Sequence, residues 1–271
     1  LTLASLMRAM ELNGVQVENN KAAFEWGRRC AHDLAAVQAL FQAAQVIQFV
    51  KKPALAELVA KRVAFLTGYQ DSAYAAQYKA FVDQVQAAEA RLGSGTRLSE
   101  AVARYLFKLM AYKDEYEVAR LHSDPAFHAK LAQQFEGDFS LKVHLAPPLW
   151  AKKNERGELI KRPFGPFMFT AFKWLARLKG LRGTAFDPFG RTEERRAERA
   201  LIAEYRQDIE RLLPGLDADR HALVLEIARL PEQIRGFGHV KERHLKAARE
   251  RRTELLAQAQ ASGQDPVRRA A

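Results

Sequence analysis

The sequence predicts a mainly α protein: a helical, bundle-like module with one small antiparallel β-hairpin or sheet around residues 139–162. Apolar residues recur every three or four positions over most of the chain, the mark of amphipathic helices. In "FSLKVHL" the period switches: Phe139, Leu141, Val143 and Leu145 alternate with Ser140, Lys142 and His144, as in a half-buried strand. Ser, Thr, Asp, Pro and Gly fall where helix caps and corners need them.

The opening "LTLASLMRAMELNG" reads as a helix already under way, with Leu3, Leu6, Met7 and Met10 at helical spacing. Asn13-Gly14 breaks it, and "VENNKAAFEWGRR" starts another with Gly27 near its end. Pro53 suits a first helical turn, where its missing N–H would be unpaired anyway. Leu55, Leu58, Val59, Val63 and Leu66 then mark one face, and Tyr74, Tyr78, Phe81 and Val85 resume it after a junction at Gly68. "GSGT" is a loop whose Thr96 is positioned to cap the next helix. That helix is expected over residues 98–122, from the run Leu98, Val102, Tyr105, Leu109 and Tyr112. Ser123-Asp124-Pro125 precedes a short helix, "AFHAKLAQQF". After the strand, Pro147-Pro148 stops the chain, and "WAKKNERGELIKR" suits a hairpin turning at residues 154–157. An aromatic-rich helix in "PFGPFMFTAFKWLARLKG" leads to a glycine-rich loop, residues 180–190, expected to be pinned by Phe186 and Phe189. Thr192 caps a charged helix over residues 193–213, and Asp217 caps one over residues 218–230. The last helix is expected over residues 240–260, before the polar tail "SGQDPVRRAA".

Composition narrows the function classes. The chain has 271 residues and a net charge of +11, enough length for one substantial core. Residues 1–150 hold 17 Lys and Arg against 15 Asp and Glu, whereas residues 151–271 hold 26 against 17. That surplus suits either an anionic partner or solvated helix faces of alternating charge. Cys30 is the one cysteine, which excludes an internal disulfide and a thiolate-only zinc or iron–sulfur site. A reducing cytoplasm is therefore the expected compartment. No run of 18 apolar residues and no basic-then-apolar leader is present, so neither membrane insertion nor secretion is expected. The first residue is Leu1, and the chain is expected to be a piece of a longer polypeptide.

Two stretches concentrate chemistry. In "PEQIRGFGHVKERHLKAARERR" the glycines permit a sharp helix-to-helix corner, Gly236-Phe237-Gly238, with Phe237 plugging the core. Arg235, His239, Lys241 and Arg243 would then gather near a helix N-terminus, able to hold a carboxylate or phosphate of a ligand or neighbouring domain. The stretch lacks the third glycine and the preceding strand of a dinucleotide fingerprint. Lys241→Glu is expected to leave stability nearly untouched while weakening such docking. In "RYLFKLMAYKDEYEVARL" the residues Lys113, Asp114, Glu115 and Glu117 share one turn. They suit acid–base work if buried together, or structural ion pairs of the Lys113–Glu117 and Asp114–Arg120 kind. No metal site is expected: His239 and His244, five residues apart, would sit about 140° apart on one helix. The aromatics Phe164, Phe167, Phe169, Phe172 and Trp174 have core spacing, and no nucleic-acid-binding motif accompanies them.

Five stretches together resemble one family. "SLMRAMELNGVQVENNKAAFEWGRR", "ARYLFKLMAYKDEYEVARLH", "FEGDFSLKVHLAPPLWAKK", "RLKGLRGTAFDPFGRTEERR" and "LPEQIRGFGHVKERHL" look like the C-terminal region of fused bacterial indolepyruvate ferredoxin oxidoreductases. The resemblance runs in order from the first residues to about residue 256. It implies membership of the thiamine diphosphate-dependent 2-oxoacid:ferredoxin oxidoreductases, which oxidatively decarboxylate aryl-pyruvates to acyl-CoA and reduce ferredoxin through iron–sulfur clusters. That family holds magnesium and thiamine diphosphate with a G-D-G motif and a downstream asparagine. This chain has no G-D-G, and "EGDFS" is a turn entering the strand. The resemblance therefore implies thiamine diphosphate, magnesium and iron–sulfur clusters in the complete enzyme and none in this chain. Residues 1–29 resemble the end of a gamma-subunit-like domain, residues 30–261 a helical C-terminal domain, and residues 262–271 a flexible tail. The expected role is non-catalytic: assembly or packing against catalytic domains of the same polypeptide in an oligomer, with the isolated chain inactive. The alternative is an independent basic protein that binds nucleic acid or an acidic partner.

Overall fold

The computed structural model describes residues 2–42, 53–93, 95–135, 137, 139–146, 160–236 and 239–264. The chain divides into two compact units, Leu1–Lys52 and Pro53–Ala271. The expected boundary after residue 29 thus falls inside a continuous helix of the first unit.

The first unit holds α1 (Leu3–Asn13), α2 (Val17–His32) and α3 (Leu34–Gln42). Thr2 starts α1, its hydroxyl accepting the Ser5 N–H at 3.2 Å, and Gly14 stops it at φ +69°. Such a left-handed stop suits glycine, which has no Cβ to clash. Gly27 does not end α2, which continues to His32. Asp33 then caps α3 by accepting the Ala36 N–H at 2.9 Å. A Lys21–Glu11 ion pair of 2.8 Å joins α2 to α1, yet neither helix buries a residue.

The second unit is built from α4 (Leu55–Tyr69), α5 (Ser72–Ala90), α6 (Arg97–Met110), α7 (Glu115–His122) and α8 (Pro125–Gln134). Then come β1 (Val143–Leu145), β2 (Arg162–Phe164), α9 (Phe167–Arg177), α10 (Glu193–Leu212), α11 (Ala218–Arg229) and α12 (His239–Gln264). The mainly α expectation with one small antiparallel sheet matches this architecture. Strands β1 and β2 pair antiparallel in the register Val143 to Phe164, His144 to Pro163 and Leu145 to Arg162. Alternation began at Phe139, but the strand starts only at Val143 and Phe139 is exposed. The expected turn at residues 154–157 and Pro147-Pro148 lie outside the described residues.

Side-chain caps set the helix starts. Asp71, Asp124 and Asp217 accept the N–H groups of Tyr74, Ala126 and Arg220 at 2.7–2.8 Å, and Thr192 accepts that of Arg195 at 3.3 Å. Each cap contributes about 1 kcal/mol. Pro53, expected in a first turn, precedes α4, whose cap position is Ala54. The single helix expected over residues 98–122 is two. Asp114 takes the Glu117 N–H at 2.8 Å and so begins α7 afresh after α6 ends at Met110. Capping by a short acidic side chain competes with helix continuation, and here it wins. At the other end, α12 reaches Gln264, into the expected tail, while residues 265–271 lie outside the described residues.

Helix α6 is the hub, touching α4, α5, α10 and α11. Its Leu98, Val102 and Leu106 are fully buried beside Leu66, Tyr78, Val82 and Val85 of α4 and α5, Ile209 of α10 and Leu255 of α12. Each large apolar side chain so buried stabilises the fold by about 1.5–3 kcal/mol. The buried tyrosines avoid orphaned hydroxyls by donating to carbonyls. Tyr78 reaches Ala103 at 2.7 Å, Tyr69 reaches Tyr112 at 2.9 Å and Tyr205 reaches Ala228 at 3.0 Å. A smaller cluster of Ala119, Val143 and Phe172, flanked by Val118, Phe164 and Phe169, seats the sheet between α7 and α9.

Candidate functional site

The break between α6 and α7 is held by charge. Asp114, buried, caps α7 and also receives a two-pronged bond from Arg182, Nε to Oδ2 at 2.5 Å and Nη2 to Oδ1 at 2.9 Å. The third guanidinium nitrogen, Nη1, donates to the Tyr69 carbonyl at 2.6 Å, and the guanidinium lies 3.7 Å from the centre of the Tyr69 ring. Lys179 adds a bond to the Gly68 carbonyl at 2.7 Å. Two cations thus cover the last carbonyls of α4, where the helix dipole favours positive charge. Burial pushes the Tyr69 hydroxyl well above its ordinary pKa, so it stays a neutral donor. The ion pairs expected here are re-partnered: Asp114 belongs to Arg182, and Glu117 accepts both prongs of Arg120 at 2.8 Å. Each carboxylate has its own cation, so the buried pair is not arranged for shared-proton chemistry.

Arg182 leads into the loop of residues 180–190, which Asp187 ties down. Its carboxylate accepts the Gly183 N–H at 2.8 Å, the Phe189 N–H at 3.1 Å and the Tyr116 hydroxyl at 3.2 Å. Phe189 packs edge-on against Tyr116 at 5.5 Å, as a pin should. Phe186 does not pin the loop; it is 82% exposed. Polar anchors replace the second aromatic.

A cleft of about 360 Å³ opens beside the break. Lys108, Leu109, Ala111, Tyr112 and Lys113 line one wall, Glu194, Glu198 and Leu201 of α10 another, and Ile234, Arg235, Gly236 and Lys241 the third. Two expected anion contacts, Arg235 and Lys241, therefore converge on one cavity with Lys113 of the other charged stretch. Arg243 is exposed and lines none of it, Glu117 is turned to Arg120, and Phe237 and Gly238 lie outside the described residues, as does the side chain of His239. Gly236 is the glycine that the corner needs: its φ is +87°, and an added Cβ would come within 2.8 Å of Val240 Cγ1.

Lys241 is not the spare cation that was expected. It forms an ion pair with Glu198 of α10, whose other oxygen accepts Arg195 Nη1 at 2.6 Å. Lys108 donates to the Pro231 carbonyl at 2.6 Å and so fastens the 3-10 turn Leu230–Gln233 to α6. Burial, and then the neighbouring Arg235 charge, hold Lys108 below the usual lysine range against the opposing pull of Glu232. Arg235 remains largely exposed, bonded to the Glu232 carbonyl at 3.0 Å. Four cations against Glu194 and Glu198 leave the cleft positive, able to receive a carboxylate at its rim.

A second buried polar centre lies elsewhere in the unit. Glu89 of α5 accepts the Leu98 and Ser99 N–H groups at 2.7 and 2.8 Å, the Ser99 hydroxyl at 2.5 Å and, at 2.8 Å, His221 Nε2 of α11. It performs the capping of α6 expected of Thr96, whose hydroxyl instead meets Glu100 at 3.3 Å. A glutamate inside an amphipathic helix reads as a solvated charge, and nothing local marks this one. For Arg182 and Asp187 the available signal was their position among the glycines of "LRGTAFDPFGRT". Among the described residues, no group of three or more His, Cys, Asp or Glu side chains is placed to hold a metal ion, and no helix is long and apolar enough to cross a membrane.

No curated protein and no solved structure matches the chain. Residues 55–254, which span α4 to most of α12 and include both polar centres and the cleft, match the model of a family of unknown function, DUF6537, and the chain belongs to that family.

Proposed function

We propose that this chain is a non-catalytic helical module of an indolepyruvate-type, thiamine diphosphate-dependent 2-oxoacid:ferredoxin oxidoreductase, acting in assembly by packing against the catalytic domains of the same polypeptide. The observation that carries this reading is the surface of the N-terminal unit. Helices α1 and α2 bury no side chain, while Leu12, Val15 and Trp26 stand 73%, 61% and 42% exposed. Apolar surface left open on short helices marks a place where a partner surface seats. The positive cleft at Lys113 and Arg235 supports the same role, since it would complement an acidic stretch of a neighbouring domain. The five stretches quoted above supply the identity of that neighbour. On this reading the oxidative decarboxylation of an aryl-pyruvate, with its thiamine diphosphate, magnesium, iron–sulfur clusters and ferredoxin, takes place in other domains of a cytoplasmic oligomer.

The test uses the complete polypeptide that contains residues 1–271. Deleting residues 1–271, or replacing Leu12, Val15 and Trp26 together with serine, is expected to abolish assembly of the oligomer and turnover of indolepyruvate, while the 271-residue chain alone shows no turnover. A coding sequence without a thiamine diphosphate-binding region, or a deletion that assembles and turns over normally, would overturn the proposal. Tight, saturable retention of nucleic acid at physiological salt would instead favour an independent basic binding protein.

A further inference from the structure

We propose that the loop of residues 183–191 and helix α10 form a second, separate pocket that binds the phosphate group of a small-molecule ligand. The pocket measures about 460 Å³ and is lined by Gly183, Thr184, Gly190, Arg191, Arg196 and Arg199, with no carboxylate among its walls. It is an open depression on the surface, with Arg191 and Arg196 exposed at its edge.

Several arginines of the unit are committed to carboxylates. Arg120, Arg182, Arg195 and Arg252 each hold a carboxylate within 2.5–2.8 Å. Arg191, Arg196 and Arg199 hold none among the described residues. Arg199 donates Nη2 to the Gly190 carbonyl at 2.6 Å, and its Nη1 is buried without a hydrogen-bond partner. Arg191 donates to the Ala185 carbonyl at 3.0 Å, which fixes its guanidinium over the loop. Bonds to carbonyls orient these cations but leave their charge uncompensated. Clustering three like charges costs free energy unless an anion joins them.

Local backbone serves the same end. Gly183 holds φ +74°, and a side chain at Gly190 would collide with the carboxylate of Asp187. Glycine there keeps the loop low over α10, whose N-terminal dipole adds positive potential. Asp187, the nearby carboxylate, accepts the Gly183 and Phe189 N–H groups and the Tyr116 hydroxyl and forms no ion pair with the three arginines. Positions 196 and 199 lie on the side of α10 opposite 194, 198 and 201, at about 100° per residue. The pocket therefore opens on the other side of α10 from the cleft assigned above to docking, with Arg199 near Tyr112 of the cleft wall, and the inference does not depend on that assignment. Three planar forks suit a tetrahedral, multiply charged phosphate better than a single carboxylate.

Calorimetric titration of the 271-residue chain with inorganic pyrophosphate at low salt is the test, read alongside amide shifts of Gly183, Thr184 and Gly190. The expected result is saturable binding at about 1 mM or tighter. Arg191→Gln and Arg196→Gln, both at exposed side chains, should each weaken it about tenfold without lowering the melting temperature. Arg243→Gln, remote from the pocket, should leave it unchanged. Absence of saturable binding, equal weakening by Arg243→Gln, or amide shifts elsewhere in the chain would overturn the proposal. So would an oligo-aspartate peptide that binds tighter than pyrophosphate and displaces it, which would assign the pocket to a protein partner.

Discussion

Replacing Glu89 with alanine is expected to lower the stability of the larger unit by about 3–5 kcal/mol, the usual loss when one partner of a buried, hydrogen-bonded charge is removed. The magnitude follows from four contacts. The carboxylate is 0% exposed and accepts hydrogen bonds from Leu98, Ser99 twice, and His221 at 2.5–2.8 Å. Two of these close the first turn of α6, worth about 1–2 kcal/mol as a cap. The bond to His221 spans α5 to α11, and its loss leaves a buried imidazole without an acceptor, at about 1–3 kcal/mol. In a unit of this size, about 2–4 °C of melting temperature accompanies each kcal/mol, so Glu89→Ala should melt roughly 10 °C lower. Glu89→Gln, which keeps one oxygen acceptor, should lose about half as much.

The pH dependence follows from the same contacts. Burial alone would raise the Glu89 pKa, but the bonds from Ser99, His221 and the Leu98 N–H outweigh it and hold the carboxyl below its usual range. A lowered carboxyl contributes stability that is fully present above its unfolded value of about 4.3 and is lost as pH falls through the folded one. The gap between wild type and Glu89→Ala should therefore be full at pH 7 and shrink below about pH 4. Urea denaturation followed by circular dichroism at a series of pH values reads both effects. A loss under about 1 kcal/mol would refute the reasoning. So would a double-mutant cycle with His221→Ala that is additive within about 0.5 kcal/mol.

Four further outcomes are expected. Arg182→Met should cost about 3–5 kcal/mol by stranding Asp114, and Asp114→Asn in the Arg182→Met background should recover part of it in the same denaturation assay. Gly236→Ala should cost about 1–3 kcal/mol, because φ +87° and the contact with Val240 both oppose a Cβ. Gly180→Ala, where no atom lies within 4 Å, should melt near wild type. Lys241→Glu, which sets a second carboxylate against buried Glu198, should cost about 1–2 kcal/mol at low salt and less at 1 M salt, measured by thermal melts in the two buffers.

Local grammar was legible before any coordinates. Asp217 and Thr192 start helices where a capping oxygen meets an apolar stripe, and Val143 to Leu145 form a strand where the period turns to two. Those features depend on neighbours within four residues, and spacing records them directly. The break at Asp114 was written as well, since Asp114 and Glu117 form a start signal, but the apolar run from Leu98 to Tyr112 carried the expected helix through it. Partner choice was not legible. Arg182 and Asp114 are 68 residues apart, and Glu89 and His221 are 132 apart. In the sequence each of these looks like any solvated polar or charged residue. Only packing decides that Glu89 faces α6 instead of water, because a carboxylate's burial depends on which helices close over it. The same holds for Lys241, which seemed free to grip an anion until α10 brought Glu198 beneath it. The sequence by itself determined most of the helical segments and the starts that Asp217 and Thr192 cap. The tertiary structure decided which charges neutralise each other, and it gathered Arg191, Arg196 and Arg199 around one pocket with no carboxylate partner among the described residues.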